Sequence, residues 1–168
     1  TAPMPPIHPV TRHMFAGDAF SQWLGITVLS AAPGTCELEM RVRPDMLNGF
    51  GILHGGVSYS LADSALAFAS NSHGRQALSI ETSISHVRAP RAGELLRAVA
   101  AELSLSPRIG IYQVRVADEQ DRTVALFKGT VFRTGRDWEL GGPHRSAPAH
   151  DVANEAELRP PTGESGPG

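Results

Sequence analysis

The sequence predicts an α+β domain in which an antiparallel sheet wraps around one long central helix. Three observations lead there. Val57, Leu61, Ala62, Ala65, Leu66, Phe68 and Ala69 recur at three- and four-residue steps, with no Pro or Gly until Gly74, which describes a buried helix of about four turns. Two strand-like runs precede that helix and four follow it, each bounded by turn residues. The 168 residues suit one domain with a real core.

In chain order, the Pro-rich start reads as a flexible arm over residues 1–11. Met14, Phe15, Phe20 and Trp23 then stand at near-helical spacing, which predicts a short helix over about 12–22. Strands are expected over 24–32 and 36–42, joined at Pro33-Gly34. In the second of them Leu38, Met40 and Val42 alternate with Glu37, Glu39 and Arg41, as in a half-buried strand. Pro44 and Asp45 end it and lead into a glycine-studded loop, Gly49, Gly51, Gly55 and Gly56, which opens the central helix. Strands follow over 77–88, 94–105, 109–118 and 123–133, separated at Pro90 to Gly93, Ser106-Pro107 and Asp118 to Arg122. The domain so defined spans residues 12–134. Residues 135–168 are rich in Gly, Pro, Ala and charge, and read as a disordered tail that docks, if at all, through Trp138.

Composition narrows the function classes. A net charge of −2 with no basic stripe gives no footprint for nucleic acid. No apolar run is long enough to span a bilayer, and the start lacks the pattern of a signal peptide. Cys36 is the one cysteine, so no intrachain disulfide is expected and a reducing, cytoplasmic setting is the default. Between Thr35 and Glu37 in a strand it reads as packing, with no neighbour that would lower its pKa. His144 and His150 lack metal-ligand spacing with each other or with a Cys. No metal or cofactor is expected.

The chemistry is concentrated in Asn48 to Asn71. Asp63 is the only ionisable residue of the apolar helix. Alone, it fits a helix position that faces solvent. The loop before it makes it a candidate. His54-Gly55-Gly56 at a helix start leaves backbone N–H groups uncluttered by side chains, where the helix dipole favours negative charge. Such an end can receive the oxyanion of acyl transfer. Gly55 and Asp63 are eight residues apart, roughly 12 Å along a helix axis. One carbonyl cannot touch both, so cooperation requires two antiparallel copies of the helix across a two-fold interface.

The run NGFGILHGG followed by YSLADSALAFASNSHG resembles the hotdog-fold acyl-CoA thioesterases of the PaaI type, the thioesterases of bacterial phenylacetate degradation. The likeness spans roughly residues 17–133. It takes in His86, Val87, Arg88, Pro90 and Gly93, the Gly110-Ile111-Tyr112 entry and VALFKGTVFR. It implies a hotdog fold and hydrolysis of acyl-CoA thioesters, phenylacetyl-CoA or its ring-hydroxylated forms among them. Gly55 N–H would polarise the thioester carbonyl, and Asp63 of the other subunit would act as nucleophile or general base. Asn48, otherwise a turn residue, would hold the water or the carbonyl, and His54 would support the site beside Gly56. Some hotdog thioesterases hold the water with a Thr or Ser one turn after the acid. Here that position is Ala67, leaving Ser64 or Asn71 to substitute.

Phe50 and Leu53, with Tyr59 and Leu61, are candidates for an acyl pocket, though their spacing equally suits core packing. Arg88, Arg91 and Arg108 are candidates for the CoA phosphates. Hotdog relatives pair their dimers, so a homodimer and a homotetramer are expected. Two alternatives stand beside this reading: a hotdog hydratase or dehydratase, and a non-catalytic acyl-CoA-binding protein.

Overall fold

A computed structural model of the chain describes residue 3 and residues 6–142. Residues 143–168, with His144, His150 and most of the expected tail, lie outside the described residues.

The elements run α1 (Pro9–Gly17), α2 (Ala19–Trp23), β1 (Thr27–Ala32), β2 (Thr35–Arg41), a 3₁₀ turn (Pro44–Met46), α3 (Gly55–Asn71), β3 (Arg75–His86), β4 (Leu95–Leu105), β5 (Ile109–Asp118) and β6 (Thr123–Asp137). The strands form one sheet in the order β1-β2-β4-β5-β6-β3, every neighbour antiparallel. The long helix α3 crosses its concave face, which is the expected architecture.

The sheet closes on α3 because inward residues alternate along each strand. Cys36, Leu38 and Met40 of β2, Leu96, Ala98 and Ala100 of β4, and Val114 and Val116 of β5 are all buried. They meet Leu61, Ala62, Ala65, Leu66, Phe68 and Ala69 on α3. Alanines on the helix let the sheet approach closely, and the larger Leu and Phe side chains each contribute about 1.5–3 kcal/mol by burial. Gly129 of β6 belongs to the same fit, since a Cβ there would run into Leu66 Cδ2. Cys36 is packing, and burial first, then the neighbouring Glu37 charge, pushes its thiol up to about 12.

The N-terminal region is more ordered than its prolines suggest. Ile7 bridges to Ala31, and His8 N–H donates to Ala31 O at 2.9 Å. His8 Nδ1 caps α1 by accepting from Val10 N–H, and Pro9 takes the first helical position, where its missing N–H costs nothing. The helix therefore starts inside the stretch read as an arm. The single helix expected over 12–22 is two. Asp18 interrupts it and caps the second, accepting from Ser21 N–H at 2.9 Å and Ser21 Oγ–H at 2.6 Å.

At the far end, β6 runs to Asp137, past the boundary expected at 134. Trp138 docks: its Nε1–H donates to Asn71 Oδ1 at 2.8 Å. The same Asn71 oxygen accepts from Ala77 N–H, and its amide donates to the carbonyls of Ala67 and Ala77. One buried amide thus joins the end of α3 to β3 and the segment after β6.

Candidate active site

The start of α3 is built by two histidines and two glycines. His54 is the N-cap; its Nδ1 accepts from Gly56 N–H at 2.9 Å, and its carbonyl accepts from Val57 N–H at 2.9 Å. Gly55 N–H donates to nothing among the described residues. Among the first three helical N–H groups, one donor is left open, at the positive end of the helix dipole.

Both glycines leave close quarters for a neighbouring ring. A Cβ at position 56 would stand 3.1 Å from His54 Nδ1, and one at position 55 would stand 2.9 Å from His86 Nε2. Each glycine makes room for one imidazole. Gly55 has no positive φ, so its need for glycine comes from the neighbouring ring and not from backbone strain.

The loop before the helix is pinned at both ends. Leu47 and Leu53 form a bridge, His54 N–H donates to Met46 O at 2.9 Å, and Leu53 N–H donates to Pro90 O at 2.8 Å. Asn48 shapes its interior: Oδ1 accepts from Phe50 N–H at 2.9 Å, closing an Asx turn, and Gly51 takes a φ of +71°. Phe50 sits at the tip, 90 % exposed. Leu53 is 5 % exposed and belongs to the core. Within one chain these two candidates for an acyl pocket are not brought together.

Asp63 lies two turns into α3, half-buried, with no hydrogen-bond or ion-pair partner among the described residues. Burial raises its pKa above the ordinary carboxylate value. Neither residue suggested for holding water is free to do so. Ser64 Oγ is bonded to Ser21 Oγ at 2.9 Å, and Asn71 is bound to backbone at the helix end.

The three arginines differ in place. Arg88 pairs with Glu94 at 2.8 Å and with the buried Asp118 at 3.3 Å, and serves the turn between β3 and β4. Arg91 is exposed in that turn; its backbone N–H donates to Glu94 Oε1 at 2.9 Å, and its side chain carries no partner among the described residues. Arg108 is exposed before β5, where its carbonyl accepts from Arg133 N–H at 2.7 Å. Arg133 stands opposite Ala77, beside the C-terminal end of α3. Within one chain Arg108 is therefore at the opposite end of α3 from Gly55, while Arg91 is beside the start.

His86 is the residue that sequence reasoning did not place in the site. It ends β3, where alternation sets Thr82, Ile84 and His86 on the side facing α3. Thr82 Oγ1 meets the Tyr59 hydroxyl, and His86 Nδ1 lies 3.4 Å from Ser58 Oγ. Alternation was legible in the sequence. That the end of β3 passes the start of α3 was not.

Comparison with known proteins agrees with this geometry. Residues 50–125 match the model of the Thioesterase superfamily. The acyl-coenzyme A thioesterase PaaI of Escherichia coli is 38% identical over 122 residues, covering 73% of this chain and 87% of that protein. The structure of the E. coli PaaI protein from the phenylacetic acid degradation operon matches with a TM-score of 0.74 at 36% identity, over 75% of this chain and 91% of that one. A mutant of the phenylacetic acid degradation protein PaaI from Thermus thermophilus matches with a TM-score of 0.68 at 44% identity, over 70% of this chain and all of that one (100%). With its helix start open and its acid unpaired among the described residues, and with these relatives, the chain belongs to the thioesterase superfamily and is a thioester hydrolase of the hotdog fold.

Proposed function

We propose that this chain hydrolyses acyl-CoA thioesters to the free acid and CoA, with arylacetyl groups such as phenylacetyl and ring-hydroxylated phenylacetyl as its substrates. The observation that carries the reading is the pairing, on one helix, of an open donor at Gly55 N–H with a carboxylate at Asp63, neither with a partner among the described residues. The first suits the oxyanion of a tetrahedral intermediate and the second suits a nucleophile or general base. The arylacetyl preference rests on the PaaI relatives from E. coli and T. thermophilus.

The roughly 12 Å between Gly55 and Asp63 along the axis makes the working unit a homodimer, each site taking Gly55 from one subunit and Asp63 from its partner. β3 supports this: it is a twelve-residue edge strand that, among the described residues, is paired only on its β6 side, and pairing with a second copy would cover its open edge. Two such dimers form a tetramer in this reading, in the cytoplasm, where a single buried thiol is at home. The thioester carbonyl points at Gly55 N–H, with Asn48 and His54 beside it. Asp63 either attacks the carbonyl, giving a mixed anhydride, or activates water.

For the CoA end, Arg91 is the arginine best placed of the three. It adjoins an open groove of about 550 Å³ whose lining includes Arg41, Arg43, Ala92 and Gly93. The loop carrying Arg91 touches Leu53 through Pro90, one residue before His54.

The test is free-thiol release from phenylacetyl-, hydroxyphenylacetyl-, benzoyl- and straight-chain acyl-CoAs, for wild type and Asp63→Asn. Aryl-selective release that collapses in the variant is expected. Release that survives Asp63→Asn would sink the mechanism, and no release from any thioester would sink the activity. Single-turnover hydrolysis in oxygen-18 water then separates the two roles of Asp63: unlabelled first product means direct attack.

A further inference from the structure

We propose that His86 is a positioning residue of this site, its imidazole fixing the direction from which a thioester carbonyl can reach Gly55 N–H. The proposal rests on the thioesterase reading above.

Three contacts carry it. The His86 ring occupies the space a side chain at position 55 would need, with Nε2 at 2.9 Å and Cε1 at 3.1 Å from where that Cβ would stand. The ring is anchored from behind: Nδ1 is 3.4 Å from Ser58 Oγ, and Ser58 is 2 % exposed in the first turn of α3. Ser58 Oγ–H in turn donates to Gly55 O at 3.1 Å.

The proton inventory follows from these contacts. The single Ser58 hydroxyl proton is committed to Gly55 O, so the bond to His86 needs its proton on Nδ1. With the Ser58 proton on Gly55 O, the partner arrangement for His86 is an Nδ1–H facing Ser58 and an Nε2 facing Gly55. His54 is the mirror case. Its Nδ1 accepts from Gly56 N–H, so a neutral His54 carries its proton on Nε2. The His86 ring thus lies against Gly55 and the His54 ring against Gly56, one imidazole from β3 and one from the helix cap.

The length of the Ser58 bond also matters. At 3.4 Å the contact orients the ring while adding little stability, and in the single chain His86 is exposed at the end of its strand. A ring held by a weak bond against a glycine in an exposed place contributes little to folding. Its effect falls on what approaches the glycine.

The experiment is a double-mutant cycle on the full chain: wild type, Gly55→Ala, His86→Ala and the double variant, read by thiol release from the best acyl-CoA and by thermal melting. His86→Ala is expected to lower kcat by roughly tenfold to a hundredfold, as a misplaced reacting group does. KM should shift less than about threefold, and the melting midpoint should hold. Gly55→Ala should cost more rate with His86 present than with Ala at position 86, because the ring is what opposes the new methyl. His86→Phe, which refills the space without the Nδ1–H, separates bulk from anchoring: bulk alone restoring the wild-type rate would overturn the anchored-ring account. Additive effects of the two substitutions on kcat, or a rate loss that tracks a fall in melting temperature, would overturn the positioning role while leaving the thioesterase reading standing. A wild type that releases no thiol from any acyl-CoA would overturn both.

Discussion

The Asp63 carboxyl lies two turns beyond the Gly55 N–H, half-buried and without a partner among the described residues. Burial raises its folded-state pKa above the unfolded value. The protonated form is then the one the folded chain prefers. Stability from this group is fully present below the unfolded pKa and is lost as pH rises through the folded pKa. Asp63→Asn removes that loss. The variant should be more stable than wild type at neutral pH, with the gain vanishing below about pH 3, under the unfolded carboxylate pKa of about 3.9, where both side chains are neutral. Denaturant unfolding at the two pH values checks it. Its activity should fall by about a hundredfold to ten-thousandfold, the range of a lost general base. A residue that destabilises the fold where it sits and is nonetheless present is the pattern expected of a functional group. Asp63 was legible as a candidate because it is the lone charge in an apolar helix. His86 was not, because its significance is a contact between elements far apart in sequence.

At the scale of elements, the helix–sheet fit and the helix end can each be tested. Gly129→Ala places a methyl against Leu66 in a packed interior, and should cost about 1–3 kcal/mol by overpacking. Trimming the helix side with Leu66→Ala makes room, so the double variant should lose less than the sum of the single losses; calorimetric melting of all three gives the answer. At the other end of α3, Asn71→Ala leaves the buried Ala77 N–H and O without their side-chain partners and frees Trp138. A loss of about 1–3 kcal/mol is expected, with a red shift in tryptophan emission as the indole is released. The near-helical spacing of apolar residues located α3, and the alternation of β2 located its inward face. The split at Asp18 and the helix start at Pro9 were misread. Both depend on caps, and a cap is recognisable only once the donor it satisfies is known.

For the whole molecule, the proposed dimer with its Gly55–Asp63 separation predicts complementation. Two variants, Gly55→Val and Asp63→Asn, should each be nearly inactive as pure proteins. Unfolded and refolded together in equal amounts, half of the dimers become mixed, and each mixed dimer holds one site with both groups intact. Activity should return to about a quarter of wild type. Mixtures that stay inactive would show that the site does not draw on two subunits. Light scattering of the same samples reports the assembly directly, and β3, with its edge unpaired in the single chain, is where pairing is expected.

What the sequence determined alone is everything governed by local periodicity: the buried helix, the six strands, the glycine loop, the solitary acid and the spacing that separates it from the helix start. Those follow from repeats of 3.6 and 2 residues and from turn chemistry, which neighbouring residues settle among themselves. The tertiary structure decided which strands became neighbours, which N–H remained open, and why two glycines stand in a row. The placing of β3 beside the start of α3 sets His86 on Gly55, and the N-cap sets His54 on Gly56. The His54 cap is local, whereas the His86 contact is a packing outcome, fixed only when the sheet closes on the helix.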